Sequence, residues 1–457
     1  MSHTTKNFGK QQSGQTEIFS LSPVSKKSVD LRFTGQDLSS DAGALLLREA
    51  DHQIGLIDQL ADCIRDERDP RYCRHELKEL LGQRIYQICC GYADANDCDD
   101  LRGDAILKMC NDRLPYQDPD LASQPTMSRL ENSASAGDTY RMAQALVDVF
   151  IAGYDQAPPV IILDCDDTNS PTYGDQQLCM FNTHYHGYCY MPLHIYEGRS
   201  GRLITTVLRP GRRSKAADMF ALLRRVITRI RQVWPSTRII VRGDAHFTSP
   251  ELMDWCHRES KVGFITGLSG NKRLHKLAGN IIADAQNEFE QAGRPVKHYG
   301  ELSYQAGSWS RAERVIVKVE VSGMGTNIRY VVTDSQGYRA RHIYEKGYCS
   351  RGKMELYIKD HKSCLHSDRA SCSRFLANQF RLLLHSAAYV LMHTLRTQVL
   401  RGTRLARATF ATIQGKLLKV AGWVRELKTK ISVELPHSYP YQPVFGKALH
   451  LFGHLRS

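Results

Sequence analysis

Leu45, Leu46, Ile54, Ile57 and Leu60 recur at the spacing of one helix face across 42–60, and Leu80, Leu81, Ile85 and Ile88 repeat the pattern across 77–89. Both stretches predict amphipathic helices. A further short helix opens at Pro125 and runs to Glu131, with Ser123 placed to cap it. Residues 38–157 therefore read as an all-α domain. The texture changes at Pro158-Pro159. The run 160–163 is continuously apolar and ends in acids, as expected of a central strand covered on both faces. Residues 187–197 and 202–209 predict two more strands around a Gly/Ser-rich turn. A helix over 215–233, a strand over 238–242, a helix over 250–260 and a strand over 262–268 follow.

The order βββ-α-β-α-β is that of an RNase H-like α/β core, a mixed sheet flanked by helices. One helix is missing from it, and residues 269–347 intervene with strand-like runs at 315–321 and 328–333 around the turn-prone stretch 323–325. This segment reads as a β-rich insertion. The chain thus divides into a polar, mobile segment 1–37, a helical DNA-binding domain 38–157, the first part of the core 158–268, the insertion 269–347, a closing helix 348–372 and a basic helical region 373–457. In that last region 375–399 and 413–427 read as basic amphipathic helices.

Charge sharpens the picture. The chain of 457 residues carries a formal +13, and residues 373–457 hold thirteen Lys and Arg against Glu426 and Glu434. Such asymmetry suggests a polyanionic partner, nucleic acid before membrane. The thirteen cysteines form no C-x2-C pair and read as free thiols in a reducing cytosol. With no apolar leader and no stretch of about 18 apolar residues, a soluble cytoplasmic protein is expected.

The candidate chemistry is acidic. Asp164 and Asp166 point to one face of the first strand, because side-chain direction repeats every second residue. Asp244 lies just past the strand 238–242. Tyr348, Arg351, Glu355 and Lys362 follow at intervals of 3, 4 and 7, which stacks them along one stripe of a helix. In the core order above, this helix lays Glu355 over the two strand ends. Clustered carboxylates repel one another unless cations hold them, and all-oxygen ligands suit Mg²⁺ or Mn²⁺. Two such ions would activate a water or 3′-hydroxyl and stabilise the leaving oxygen in phosphodiester chemistry. The competing reading makes the aspartates turn and cap residues and the stripe a solvated face with i,i+4 ion pairs. His184, His186 and His246 flank the acids without a zinc spacing.

These motifs, together with Gly91-Tyr92-Ala93-Asp94, Pro125-Thr126-Met127-Ser128, Gly174-Asp175-Gln176, Leu208-Arg209-Pro210-Gly211 and Arg242-Gly243-Asp244, resemble bacterial insertion-sequence transposases with a DDE centre and the Y-x2-R-x3-E-x6-K signature, the insertion sequence 1380 family. The resemblance spans nearly the whole chain. It implies catalytic and metal-binding roles for Asp166, Asp244 and Glu355, with Asp164 as the alternative first acid. It further implies DNA contacts by Tyr348, Arg351 and Lys362, and by Trp309 as a base-stacking aromatic of the insertion. The implied activity is cleavage of inverted-repeat ends with two Mg²⁺ or Mn²⁺ per site and transfer of 3′-hydroxyls to target DNA, in a homodimeric synaptic complex whose affinity weakens steeply with salt. Two readings stay beside it: a nuclease of the same fold that cuts without joining, and a transposase-derived DNA-binding protein without catalysis.

Overall fold

The computed structural model describes residues 18–33, 36–212 and 216–454. A mixed eight-stranded sheet forms its centre. Strands β1 (Val160–Asp167), β2 (Leu193–Glu197), β3 (Leu203–Val207), β4 (Arg238–Gly243), β5 (Val262–Leu268), β6 (Val296–Tyr304), β7 (Glu313–Ser322) and β8 (Gly325–Thr333) lie in the order β6-β7-β8-β5-β4-β1-β2-β3. β1, β4 and β5 are parallel. They need crossovers, which the helices Ala216–Val233 and Pro250–Arg258 supply. Ile161, Leu163 and Cys165 of β1 pack with Leu223, Val226, Ile227 and Ile230 of the first crossover helix. Asp164 and Asp166, at alternate positions, therefore face the opposite side of the sheet.

The segment expected as a β-rich insertion does not form a layer of its own. Residues Tyr330 to Thr333 of β8 pair antiparallel with Leu268 to Ile265 of β5, and β7 and β6 follow outward, so the inserted strands extend the central sheet. β6 and the helices Lys272–Leu277 and Gly279–Ala292 were not anticipated. The stretch 187–197, expected as one strand, breaks at Met191-Pro192. Proline has no N–H for a ladder, and Gly187–Tyr190 joins a small separate sheet with Ser170–Pro171 and Met180–Asn182.

Residues 38–157 are helical as expected, apart from the short strand Leu38–Ser39. The stretch 42–60 divides at Gly55 into Ala44–Ile54 and Leu56–Ala61, while Leu77–Cys89 and Gln124–Ser133 form as read. These helices do not close a core by themselves. The helix Phe375–Thr394 runs among them, and all eighteen residues from Ala377 to Thr394 are buried. The expected basic amphipathic helix is therefore corrected to an internal one, several of its polar residues reaching other elements. Gln379 accepts from the Leu208 amide at 2.6 Å, and Arg381 pairs with Glu131 at 3.4 Å. The expected helix over 413–427 is corrected as well. Helical turns end at Leu418, and the alternating Gly422–Glu426 becomes a strand between Ile431–Glu434 and Leu38–Ser39.

At the N-terminus, Phe19–Val24 and Lys27–Leu31 form an exposed hairpin within the segment expected to be mobile; residues 1–17 lie outside the described residues. The thirteen cysteines are all unpaired. Among the described residues no helix is long and apolar enough to cross a membrane.

Candidate active site

β1 and β4 are neighbours in register, with Asp164 opposite Arg242, so their C-terminal ends bring Asp166 and Asp244 together. Asp244 caps a turn over Ala245–Phe247, its Oδ1 accepting from the His246 amide at 2.8 Å. The cap function foreseen as the competing role is thus present, yet 32% of the Asp244 side chain stays exposed. Asp166 is more enclosed, with 19% exposed. Burial pushes its carboxyl up to about 6; the charges of Asp244 and Asp167 push the same way, and Arg351 opposes them. The two acids sit within each other's field.

A continuous helical run, 340–364, crosses this end of the sheet. It is regular over Ala340–His342 and Gly352–Lys359, with wider π turns over Ile343–Tyr348 and Asp360–Cys364 and a tighter turn over Cys349–Arg351. The Gly347 carbonyl accepts from Arg242 Nη1 at 2.5 Å. Tyr348 lies on β5 where Gly267 has no side chain; a Cβ there would sit 2.7 Å from the tyrosine oxygen. Arg351 Nη1 donates to Asp166 Oδ2 at 2.9 Å.

Four residues on, Glu355 is exposed and is not drawn to the two aspartates. Among the described residues no group of three or more His, Cys, Asp or Glu is placed to hold a metal ion. The expected three-acid convergence is therefore incomplete here. Arg351 is the stripe residue that faces Asp166, and Glu355 stands about 6 Å further along the helix axis. Lys362 turns inward: its Nζ donates to the Asn169 carbonyl at 2.5 Å and lies 3.9 Å from Asp368.

The other acids of β1 are already engaged. Asp164 is fully buried and accepts from Arg242 Nε at 2.5 Å and Nη2 at 2.7 Å. Gly198 makes room for that pair, since a Cβ there would lie 2.6 Å from both partners. Asp167, on the opposite face, pairs with Arg209 at 3.0 Å. Trp309 is only 8% exposed and packs edge-on against Tyr304, ring centres 5.3 Å apart. Its expected base-stacking role is corrected: the indole belongs to the core under β6 and β7. His184 and His186 are exposed in the small sheet's turn, and His246 lies 3.5 Å from Asp244.

The model of the family described as transposase DDE domain group 1 matches residues 21–457. The chain belongs to that family. It is a DDE transposase. No curated protein matches it. Among solved structures it is similar to the piggyBac transposase, determined by cryo-EM as a synaptic complex with hairpin DNA: 12% identity over 85% of this chain and 83% of that one, with a TM-score of 0.41.

For this DDE transposase, the partly buried Asp166 and Asp244 supply hard oxygen donors of the kind that suits a divalent cation. Two of the three expected ligands fit on that ground, and the third does not reach in this arrangement. Sequence reasoning missed the Asp164–Arg242 and Asp167–Arg209 pairs. Arg242, directly after the apolar run 239–241, was the available signal, because a charge on a covered strand needs a partner.

Proposed function

We propose that this transposase binds the inverted-repeat ends of its own element, cleaves them by metal-assisted phosphodiester hydrolysis and transfers the 3′-hydroxyls into target DNA. The observation that carries the reading is the meeting of Asp166 and Asp244 at the ends of adjacent parallel strands, under a helix that delivers Arg351 to Asp166. The strand order β3-β2-β1-β4-β5 supports an RNase H-like core with β6 to β8 added at its edge.

In this proposal Asp166 and Asp244 would hold Mg²⁺ or Mn²⁺, two ions per site, with Glu355 turning in from its exposed position to complete the set. Asp164, committed to Arg242, has a structural part. Such ions would supply acidity to the attacking water and charge stabilisation to the leaving oxygen. Asp166 and Asp244 would act on the reacting phosphodiester through the ions they hold, since bare carboxylates repel a phosphate. Arg351, as a planar cation at the rim, takes a phosphate oxygen, and Tyr348 lines the strand beside it. Lys362 anchors the loop after β1 through Asn169. A homodimer acting on paired ends completes the scheme.

The experiment is incubation of the purified protein with a labelled duplex of its element's end, a target plasmid and Mg²⁺, with Glu355→Gln and Asp244→Asn in parallel. Cleavage with a joined product, both lost in the variants, supports the proposal. Cleavage without joining indicates a nuclease, and binding with neither product indicates a non-catalytic DNA-binding protein. Wild-type cleavage by Glu355→Gln would falsify the assignment of the third carboxylate.

A further inference from the structure

Between β1 and β2 the chain leaves the central sheet and builds the small one from Ser170–Pro171, Gly187–Tyr190 and Met180–Asn182. One side of it is closed, with Cys189 buried at 1% exposure. The other side is open. Phe181 and Tyr188 stand directly opposite each other, rings edge to face at 5.6 Å, and are 52% and 59% exposed. Tyr185 in the connecting turn is 41% exposed, and Tyr173, just after Pro171, is 94% exposed. Scattered exposed apolar residues are ordinary, but large aromatics clustered in solvent on one short segment mark a contact surface.

Three further observations say what the surface contacts. It begins where Asp166 and Asp167 end β1, and the Tyr185 hydroxyl, raised by burial first, is raised further by the charges of Asp167, Asp166 and Asp244. It is held firmly: the Asn169 carbonyl at its base accepts from Lys362, and Gln177 N donates to the Ser373 carbonyl at 2.8 Å. The stretch 210–212 lies along its side. Asn182 Nδ2 donates to the Gly211 carbonyl at 2.8 Å and Tyr190 bridges to Pro210, and the next residue, Arg212, is exposed. Aromatic faces beside an arginine, next to phosphodiester chemistry, match unpaired nucleotides. Bases within a duplex are already stacked and present no face to a side chain.

We propose that Phe181, Tyr185, Tyr188 and Tyr173 form a stacking platform for unpaired DNA bases next to the phosphodiester at Asp166 and Asp244, with Arg212 taking the backbone. The inference rests on the proposed reading of the acidic site as the place of DNA cleavage. It differs from the family-implied role of Trp309 in its residues, its place in the chain and its exposure.

The test uses the full chain in EDTA, so that binding is read without cleavage. The probes are a fluorescein-labelled oligothymidylate of about twelve nucleotides, within the usual span of such sites, and a blunt duplex of arbitrary sequence. In Phe181→Ser/Tyr188→Ser the oligothymidylate weakens by at least about tenfold, as expected when stacked bases lose their platform, while the duplex changes less than about twofold. Equal weakening of both probes, or of neither, overturns the proposal. Photocrosslinking of the wild type with 5-iodouracil oligonucleotide removes any dependence on the variant's folding. Adducts map to Tyr173, Phe181, Tyr185 or Tyr188, and adducts confined to other segments overturn it, as does capture of this face by a protein partner with no oligonucleotide bound there. Asp166→Asn retains oligothymidylate binding. A wild type that stacks the oligonucleotide here yet never cuts element ends would defeat the cleavage reading alone.

Discussion

Arg351 Nη1 reaches Asp166 Oδ2 at 2.9 Å, joining the closing helix to the end of β1 across 185 residues of sequence. The guanidinium offsets the repulsion that Asp244 exerts on a carboxyl already pushed up to about 6 by burial. Arginine and a divalent cation therefore compete for one oxygen. Arg351→Ala should bind Mn²⁺ roughly tenfold more tightly, the equivalent of one unit of carboxylate pKa, while cutting element ends at least about tenfold more slowly through loss of a charged phosphate contact. Calorimetric titration and a cleavage gel on the same preparation read the two effects. A variant that weakens the metal would mean that Arg351 assists the ligands rather than rivals them.

Asp164 and Asp166 differ by two positions and in what their loss should do. Asp164→Asn leaves the buried Arg242 without its counter-charge and should cost about 3–5 kcal/mol of stability. Asp166→Asn removes an acid whose ionised form is disfavoured by its surroundings, so denaturant unfolding at pH 7.5 should show no loss, or a gain of up to about 2 kcal/mol. Cleavage should disappear in both, but only the second protein stays folded. If Asp166→Asn unfolds and Asp164→Asn does not, the two roles are exchanged.

Trp309→Ala should destabilise by about 3–5 kcal/mol, as truncation of a packed core aromatic does, and Trp309→Phe by less. The surviving folded protein should bind an element end with wild-type affinity in an electrophoretic shift assay. A selective loss of affinity in a fully stable Trp309→Phe protein would restore the stacking role.

Acid stability follows from histidines under the sheet. Burial lowers His194 and His393 to about 3, and His361 and His385 well below their ordinary range. The unfolded chain takes up these protons near pH 6.5 and the folded chain does not, so stability is complete above that pH and lost as pH falls toward 3. At pH 5 His194 and His393 each contribute a loss of about 2 kcal/mol, and His361 and His385 act in the same direction. The raised carboxyls of Asp51 and Asp166, both at about 6, work the other way, adding stability as pH falls from 6 toward 3.8. Asp104, Asp164, Glu313 and Asp334 are raised too, by smaller amounts, and the four histidines are expected to outweigh the carboxyls. Thermal unfolding at pH 7.5, 6 and 5 should show a falling midpoint, and His393→Gln, which retains a donor toward the Ser200 carbonyl, should flatten the decline. A midpoint that rises below pH 6 would give the carboxylates the larger share.

What could be read from sequence alone was local. The apolar runs of β1 and β4 end in acids, and that sufficed to place Asp166 and Asp244 at adjoining strand ends once the order of elements was known. The strands after residue 295 were visible by alternation, but alternation does not say which sheet a strand joins. The pairing of Tyr330 with Leu268 decided that. Arg381, His385 and His393 lie on a stretch that reads as a basic amphipathic helix; each is buried against a residue from a distant element. The intervals of 3, 4 and 7 between Tyr348, Arg351, Glu355 and Lys362 predict one shared face, which holds only for a uniform 3.6-residue turn. The wider and tighter turns around Gly352–Lys359 redistribute the four side chains.

The burial of Phe375–Thr394 among the first helices also sets an order of assembly. The ribosome releases Leu77–Cys89 and Ala136–Ala152 long before the helix that covers their apolar faces, so the amino-terminal third stays incomplete until more than four-fifths of the chain has been made. A message cut short upstream of that helix leaves those apolar faces uncovered, so the fragment closes no core of its own. In the proposed scheme, competence to hold DNA and competence to cut it then mature together.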